Sequence, residues 1–304
     1  MTNWVIQTSG LTRTYKTQIA VNLLNLRVPE GTIYGFLGPN GAGKTTTIRM
    51  LLGLIRPTSG DIEIFRKSLA QNRMSILKKV GSLVESPSYY GHLSGFENLA
   101  VFARLLDVSD QRIREVLEIV RLTPAANKAV KGYSLGMKQR LGIASALLAS
   151  PKLLILDEPT NGLDPAGIHE IRQLIIDMPR QHGISVLVSS HLLSEIEQMA
   201  TWVGIINQGK LLFQDHIQAL RQESQAELLI DVDRPQDALA ILQREGFEVT
   251  MVDKSLVLKN IEYPEYAQVN KKLVLADIPV FRIREHAPSL EDIFLRLVGT
   301  GGSL

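Results

Sequence analysis

The sequence predicts an α/β domain built around a phosphate-binding loop, followed by a small α+β domain. The glycine-rich stretch at residues 38–46 lies between a strand-like run, 32–37, and a helix-like run, 46–55, which is the context that a phosphate loop requires. A second apolar run, 153–156, ends in two adjacent acids at what would be a ligand-binding edge of a buried sheet. After residue 215 the apolar patterns follow the order βαββαβ, which is typical of a ferredoxin-like unit.

The composition is that of a globular protein. The chain has 304 residues, enough for one large or two ordinary domains, and 45% of them are hydrophobic. It has no cysteine, which excludes disulfides and thiolate chemistry and fits a reducing cytoplasm. Its first residues lack the pattern of a signal peptide, and no apolar run approaches the roughly 18 residues of a membrane span. We therefore expect a chain that is soluble by itself.

The net charge of +2 is unevenly distributed. Residues 216–304 carry ten Lys and Arg against fourteen Asp and Glu, or −4, which leaves 23 against 17, or +6, for residues 1–215. Neither part is charged enough to indicate nucleic acid as the main ligand. The change in character predicts two domains, residues 1–215 and residues 216–304.

The first elements are predicted to be strands of an N-terminal sheet. Residues 4–7 and 23–28 have strand-like patterns, and residues 29–31 turn the chain into the strand before the phosphate loop. Tyr15 lies between the first two strands. From the residues alone its ring has two interpretations, stacking on a nucleotide base or ordinary packing at a strand edge.

The stretch GPNGAGKTT fits the pattern G-x-x-x-x-G-K-[ST] at all four fixed positions. Its glycines allow the backbone N–H groups to approach an anion, and the following helix points its positive end at the same place. Lys44 is a mobile cation for the β- and γ-phosphates, and the Thr45 hydroxyl is a natural ligand for Mg²⁺. The predicted nucleotide-binding residues of this loop are Gly38, Pro39, Asn40, Gly41, Ala42, Gly43, Lys44, Thr45 and Thr46.

The segment after the loop predicts more sheet and then a helical insertion. A strand at residues 61–65 follows a turn, and a short apolar strand from Val80 ends at Glu85. From residue 93 to residue 122 the apolar side chains recur with helical spacing. We place a helical subdomain at about residues 86–150.

Another helix opens at residues 133–140 and ends before Pro151. Ser134 at its start is a helix cap by default. The same position, with Gly136 two residues on, is also a second place where backbone N–H groups could hold a phosphate. From the residues alone the cap is the favoured interpretation.

Asp157 and Glu158 follow the buried run directly. Two adjacent carboxylates that neither bind a metal nor activate a water would repel each other, so a purely structural role is disfavoured. Asp157 can hold Mg²⁺, and Glu158 can polarise the attacking water. His191 also lies at the carboxyl end of a strand, after the apolar run 184–188 and Ser189-Ser190. A lone histidine is more often structural, but this position favours a functional role.

The C-terminal part predicts a complete small domain without a catalytic constellation. Its predicted strands and helices, in chain order, are residues 227–232, 236–245, 247–252, 255–258, 264–275, 280–284 and a last helix that is capped at residues 289–292 and ends at residue 299.

Together these motifs resemble the nucleotide-binding subunit of an ATP-binding cassette (ABC) transporter. The resemblance covers about residues 2–215, where six motifs occur in the family's order. It implies a P-loop ABC ATPase domain with a mixed sheet core, a helical subdomain and an N-terminal antiparallel sheet. It further implies that Tyr15 stacks on the base, that Lys44, Glu158 and His191 are catalytic, and that Asp164 belongs to the D-loop.

Two positions depart from the common family pattern. The signature reads Tyr-Ser-Leu-Gly-Met at residues 133–137 instead of Leu-Ser-Gly-Gly-Gln, although Ser134 and Gly136 can still donate to a phosphate. Glu85 stands where most members have a glutamine, and a carboxylate there adds negative charge near Mg²⁺, so Glu85 joins Thr45 and Asp157 as a predicted metal ligand. These departures, and residues 287–294, are similar to the branch that exports or protects against bacitracin and lantibiotic peptides.

The resemblance implies an ATP hydrolase, with ATP and Mg²⁺ bound, that powers export of or resistance to a peptide antibiotic or similar amphiphile. Members act as homodimers in which Ser134 and Gly136 of one subunit close over ATP held by Lys44 of the other. Since no membrane span is expected, the implied complex has separate transmembrane permease subunits. The implied location is cytoplasmic, peripheral on the inner face of the cell membrane.

Two other functions are open at this point. A cassette ATPase acting on nucleic acid or ribosomes usually has two cassettes or a long insert between the Walker motifs, whereas about 110 residues separate Lys44 from Asp157 here. A regulatory subunit that binds ATP without hydrolysing it is disfavoured by the intact Asp157, Glu158 and His191. No nucleic-acid partner is expected.

Overall fold

The computed structural model describes residues 3–84, 88–222, 227–252, 255–259, 261, 263–286 and 290–299. The chain forms two compact units, one made of Met1–Ile217 and Val298–Leu304 and the other of Gln218–Leu297. Glu85 and the segment 287–289 lie outside the described residues.

The first unit contains two sheets. Its strands are β1 (Trp4–Tyr15), β2 (Gln18–Leu24), β3 (Arg27–Pro29), β4 (Ile33–Leu37), β5 (Ser59–Ile64), β6 (Lys67–Ser68), β7 (Val80–Leu83), β8 (Leu153–Asp157), β9 (Ser185–Ser190), β10 (Trp202–Asn207) and β11 (Lys210–His216). One sheet has the antiparallel order β2-β1-β5-β6, with β3 also paired to β1. The other has the order β11-β10-β4-β9-β8-β7, in which only β11 runs antiparallel to its neighbour. This confirms the predicted mixed core and N-terminal antiparallel sheet.

Helices surround and extend the mixed sheet. They are α1 (Lys44–Leu51), α2 (Leu69–Leu77), α3 (Gly95–Leu106), α4 (Asp110–Ile119), α5 (Leu135–Leu147), α6 (Pro165–His182) and α7 (Leu193–Glu197). The next helix in the chain, α8 (Ile217–Gln222), begins at the last residue of the first unit and continues into the second. In the part of the chain that the structure describes, no helix combines the length and the apolar character needed to cross a membrane.

The mixed sheet explains how distant motifs meet. Every residue of β4, β8 and β9 is buried, which is why these strands read as continuous apolar runs rather than alternating ones. All three run parallel, with Leu37 opposite Ser190 and Asp157 opposite Ser189. Their carboxyl ends therefore meet at one edge of the sheet, and the phosphate loop, the paired acids and His191 all follow from that edge.

The helical insertion starts from well-defined caps. The Ser94 side chain accepts from the Glu97 backbone N–H, and the Glu97 carboxylate accepts from the Ser94 N–H. Donation from the Ser94 N–H, and in second place from the Ser94 hydroxyl, lowers the pKa of the Glu97 carboxyl. The region predicted as helical from residue 93 to residue 122 is two helices, because α3 ends at Asp107, whose φ of 55° is left-handed.

The predicted single strand at residues 23–28 is wrong. The region forms two strands, because β2 ends at Leu24 and β3 begins at Arg27, and Leu23 near the end of β2 has a left-handed φ of 49°. The cause is a buried threonine: the Thr8 hydroxyl donates to the Leu24 carbonyl and accepts from the Leu26 N–H, both at 2.8 Å. This side chain satisfies backbone groups that would otherwise pair with a neighbouring strand.

The second unit confirms the predicted ferredoxin-like α+β fold. Its elements are β12 (Glu227–Val232), α9 (Pro235–Arg244), β13 (Val249–Val252), β14 (Ser255–Leu258), α10 (Tyr263–Leu275), β15 (Val280–His286) and α11 (Leu290–Val298). The strands form one antiparallel sheet in the order β13-β14-β12-β15. Leu228, Ile230 and Leu256 on one face of that sheet form its core with Leu242 and Val269 of the two helices α9 and α10.

The close approach of two backbone segments at Gly60 gives a test of this fold. Gly60 has a φ of 87°, and a Cβ there would lie 2.4 Å from the Gly10 carbonyl oxygen. Gly31 is a matched control, because its φ is 72° and a Cβ there would meet no atom within 4 Å. Alanine at either position costs about 1 kcal/mol for the left-handed backbone, and at Gly60 the clash adds about 1–3 kcal/mol.

Urea denaturation of Gly60→Ala and Gly31→Ala measures the difference. Equal losses in the free energy of unfolding for the two variants would show that β1 and β5 do not approach each other in this way.

Candidate active site

The phosphate loop joins β4 to α1 as a compact turn. Gly41 and Gly43 have φ values of 78° and 108°, and the Ala42 N–H donates to the Pro39 carbonyl at 3.1 Å. Among the described residues, no side chain caps α1 and no acid lies in its first turn. The positive end of the helix is therefore available to an anion rather than neutralised by the protein.

Lys44 is the first residue of α1, and its side chain is only 6% exposed. Its ammonium donates to the Gly38 carbonyl at 2.6 Å and to the Pro39 carbonyl at 3.2 Å. It also lies 3.2 Å from Glu158 Oε1. A buried charge requires such partners, and Glu158 supplies the compensating negative charge.

Glu158 is the first residue after β8, and its φ of 48° is left-handed. While Oε1 faces Lys44, Oε2 lies 2.6 Å from His191 Nδ1. A non-glycine residue in this conformation is strained, and such strain is typical of functional sites. The two predicted catalytic partners, Lys44 and His191, thus contact the two oxygens of one carboxylate.

The contact with Glu158 also determines how His191 is protonated. An ionised carboxylate only accepts hydrogen bonds, so Nδ1 of His191 carries the proton that it donates to Oε2. In the neutral ring Nε2 is then an acceptor, and it becomes a donor only when the ring is doubly protonated.

Asp157 is the last residue of β8 and is buried, with 7% exposure. Its Oδ1 accepts from the Ser189 hydroxyl at 2.5 Å. Thr45 is half-buried in the first turn of α1, and α1 packs against β8. The two predicted metal ligands that the structure describes therefore belong to neighbouring elements at the same edge of the sheet.

A buried carboxylate that the sequence did not indicate lies beside the site. Glu195 of α7 is 6% exposed, and its Oε2 accepts from the Thr160 hydroxyl at 2.6 Å and the Ser190 hydroxyl at 3.1 Å. Thr160 follows the paired acids, and Ser190 precedes His191. Glu195 therefore ties the two loops of the site together.

Tyr15 lies at the end of β1 and is 41% exposed. The guanidinium of Arg13 lies over its ring, 4.5 Å from the ring centre, and donates to the Arg56 carbonyl at 2.8 Å. The structure thus places Tyr15 on the surface at the end of a strand, with one ring face covered by the Arg13 guanidinium.

Ser134, Gly136 and Asp164 lie at the starts of two further helices. Ser134 is the cap of α5 and accepts from the Met137 N–H, and Asp164 is the cap of α6 and accepts from the Gly167 N–H. A Cβ at Gly136 would lie 3.8 Å from the Cα of Gly167, so the starts of the two helices adjoin. Among the described residues, no hydrogen bond or ion pair joins these three to Lys44, Glu158 or His191.

Two tyrosines fix the start of α5. The Tyr133 hydroxyl donates to the Ala125 carbonyl at 2.7 Å, and the Tyr89 hydroxyl donates to the Lys138 carbonyl at 2.5 Å. Burial raises the pKa of both phenols, so each stays protonated and keeps its hydrogen bond across the physiological range.

The residues present fit a nucleoside triphosphate with its magnesium ion. The uncapped helix end and the Lys44 ammonium suit phosphate oxygens, and the Thr45 hydroxyl and Asp157 carboxylate are the hard oxygen donors that Mg²⁺ prefers. Within the described ranges, no group of three or more His, Cys, Asp or Glu could hold a metal ion alone. Few protein ligands are usual for Mg²⁺, which commonly shares its coordination with phosphates.

Comparisons with known proteins agree with this geometry. The family model described as "ABC transporter" matches residues 21–161. The bacitracin transport ATP-binding protein BcrA of Bacillus licheniformis is 45% identical over 98% of both chains. The lantibiotic transport ATP-binding protein SrtF of Streptococcus pyogenes is 44% identical over 69% of this chain and 90% of that protein.

A solved structure extends the comparison to the fold. CbiO1 from Clostridium perfringens, part of the ABC transporter complex cbiONQ, matches with a TM-score of 0.68 and 25% identity over 73% of this chain and 92% of that one. Sequence, family model and fold agree, and the chain therefore belongs to the ABC transporter family, as one of its ATP-binding and ATP-hydrolysing subunits.

Proposed function

We propose that this chain powers the export of, or resistance to, a peptide antibiotic or similar amphiphile through separate membrane permease subunits. The observation that carries the proposal is the match to the bacitracin transport ATP-binding protein, which extends over 98% of both chains and so includes the ferredoxin-like unit. The match to a lantibiotic transport ATP-binding protein points to the same class of cargo.

The phosphate loop and Lys44 bind the triphosphate. The N–H groups of the loop and of the first turn of α1 receive the phosphate oxygens, with Lys44 on the β- and γ-phosphates. Tyr15, which is exposed and held from one side by Arg13, stacks on the base.

Magnesium, when bound, neutralises charge that develops on the phosphates. Thr45 and Asp157 are its ligands in this proposal, and Glu85 remains a predicted ligand at a position outside the described residues. Asp157 is suited to the role because Ser189 occupies only one of its oxygens.

Glu158 accepts a proton from the attacking water, and His191 contacts the γ-phosphate. Both follow strands that end at the same sheet edge, where Glu158 contacts Lys44 with one oxygen and His191 with the other. This placement supports general base catalysis by Glu158.

A second copy of the chain completes each site. Ser134 and Gly136 lie at the start of α5 and Asp164 at the start of α6, where backbone N–H groups point outward from the helix ends. Within the described residues, no hydrogen bond or ion pair joins any of them to Lys44 or Glu158, which supports a role toward nucleotide held by a partner subunit. We therefore propose a homodimer that closes on ATP.

In this proposal the permease subunits bind the dimer and hold it at the membrane. In this proposal the subunit is peripheral on the inner, cytoplasmic face of the cell membrane and binds no nucleic acid. A cassette ATPase acting on ribosomes or nucleic acid is not favoured, since the similar proteins are named as transport subunits.

Glu158→Gln and Lys44→Ala separate catalysis from binding. Glutamine keeps the size of Glu158 but removes the base, so turnover falls about 10²–10⁴-fold while ATP still binds. Lys44→Ala removes the cation, so calorimetric titration with ATP shows binding lost. Glu170→Gln is the control, because Glu170 pairs with Arg140 outside the site and its loss leaves both quantities unchanged.

Turnover of Glu158→Gln near that of the wild type would remove Glu158 from the role of base. Unchanged ATP affinity of Lys44→Ala would contradict the proposed phosphate site.

Ser134→Ala tests the composite site, with Ser109→Ala as its matched control. Both serines cap a helix by accepting a backbone N–H, so both variants lose about 1 kcal/mol of stability. Only Ser134 faces nucleotide in the proposed dimer, and losing a hydrogen bond to a charged phosphate lowers turnover about 10–100-fold. Steady-state ATPase assays measure this, and equal turnover in the two variants would refute the cross-subunit contact.

The cargo and partner are tested by expressing the protein with its neighbouring membrane-protein genes in a sensitive bacterium. We expect the wild type to raise the inhibitory concentration of bacitracin or a lantibiotic and to co-purify with a polytopic membrane protein. Glu158→Gln should co-purify equally but give no protection. Co-purification with ribosomes or DNA instead would support the rival function.

A further inference from the structure

Ser189 is a buried polar residue that the proposed mechanism does not use. It lies in β9, directly opposite Asp157 of β8 on one side and Phe36 of β4 on the other. Its exposure is 0%, near the carboxyl end of a strand whose residues are all buried. A hydroxyl so placed must find partners, because an unsatisfied buried hydroxyl is destabilising.

The partners of Ser189 are the two acids of the site. Its hydroxyl donates to Asp157 Oδ1 at 2.5 Å and accepts from the Glu158 N–H at 2.9 Å. The directions are fixed, because a carboxylate only accepts and an amide N–H only donates. One side chain therefore orients both the Asp157 carboxylate and the Glu158 backbone.

The second contact falls on the strained residue of the site. A left-handed backbone is unfavourable for a residue with a side chain, and it persists only where the surroundings hold it. Glu158, with its φ of 48°, is held by Ser189 at its N–H and by Lys44 and His191 at its carboxylate. The Glu158 backbone is held at its N–H by Ser189 and at its carbonyl by the Asn161 N–H, at 3.1 Å, so Ser189 is the contact that comes from the neighbouring strand.

We propose that Ser189 is a positioning residue for magnesium-dependent ATP hydrolysis. It turns Asp157 so that one oxygen is engaged and the other is presented to the metal, and it holds Glu158 in the conformation that faces the phosphate loop. This inference rests on the proposed role of Asp157 as a metal ligand. Partners of metal ligands commonly contribute 10–100-fold to metal affinity or activity.

Ser189→Ala tests the proposal, with Ser185→Ala as its matched control. Ser185 lies in the same strand, is 1% exposed, and accepts from the Gly31 N–H at 2.8 Å away from the acids. We expect Ser189→Ala to raise the Mg²⁺ concentration for half-maximal hydrolysis about 10–100-fold. Ser185→Ala should leave it within about twofold of the wild type, since the 10–100-fold effect belongs to partners of metal ligands.

A binding measurement separates orientation from activity. With ADP present, the affinity for Mn²⁺, followed by electron paramagnetic resonance, should fall about 10–100-fold in Ser189→Ala, since Asp157 loses its partner. Affinity for ADP without metal should stay at the wild-type value. Ser189→Cys, which keeps the packing but is a weaker donor, should show the same direction of change and serves if the alanine variant does not fold.

Wild-type Mn²⁺ affinity and Mg²⁺ dependence in Ser189→Ala or Ser189→Cys would overturn the proposal. Equal changes in the Ser185→Ala control would also overturn it, because they would reveal only a structural role. Failure of the wild type itself to use Mg²⁺ with ATP would instead refute the proposed function, so the two failures are distinguishable.

Discussion

The buried ammonium of Lys44 is the constraint on which the site depends. Its side chain is 6% exposed, so its charge has little water to solvate it and must be balanced by the protein. Two loop carbonyls and the Glu158 carboxylate do so, and they come from β4 and β8. The parallel arrangement of these strands is therefore a requirement of the charge balance as well as a feature of the fold.

The Glu158 carboxylate balances the charge of Lys44 and also contacts His191. Its Oε1 contacts the Lys44 ammonium and its Oε2 contacts His191 Nδ1. Both contacts hold as long as no phosphate competes for Lys44 or His191. In the proposed mechanism, a triphosphate offers Lys44 more negative charge than one carboxylate does, so the lysine would exchange one anion for another and remain compensated. That exchange would free Oε1 of Glu158 for water, so nucleotide binding and activation of the proposed base would be linked through the Lys44–Glu158 ion pair.

The sequence predicts the parts of this site that lie within one continuous segment. The phosphate loop with Lys44, and Asp157 with Glu158, are recognisable because the chemistry and its flanking strand are adjacent in the chain. The roles of Ser189 and Glu195 depend on which residues stand opposite each other across strands and loops, and a single sequence does not give that register. A signal for Ser189 exists in the sequence, because it ends a buried strand in the same way as Asp157 and Glu158 do, and that position is what identifies the two acids as site residues. The break between β2 and β3 was missed for a similar reason, because the Thr8 hydroxyl acts from another strand.

Glu195 shows how the two loops of the site can respond together. Its carboxylate receives hydroxyls from Thr160, at the start of the loop that leads to Asp164, and from Ser190, next to His191. The Ser190 hydroxyl also accepts from the Leu192 N–H, so the backbone on both sides of His191 is tied to this one buried group. Separating either loop from Glu195 would leave a buried carboxylate with fewer partners, which is costly. A displacement of the Asp164 loop by a partner subunit is therefore resisted unless the histidine loop moves with it.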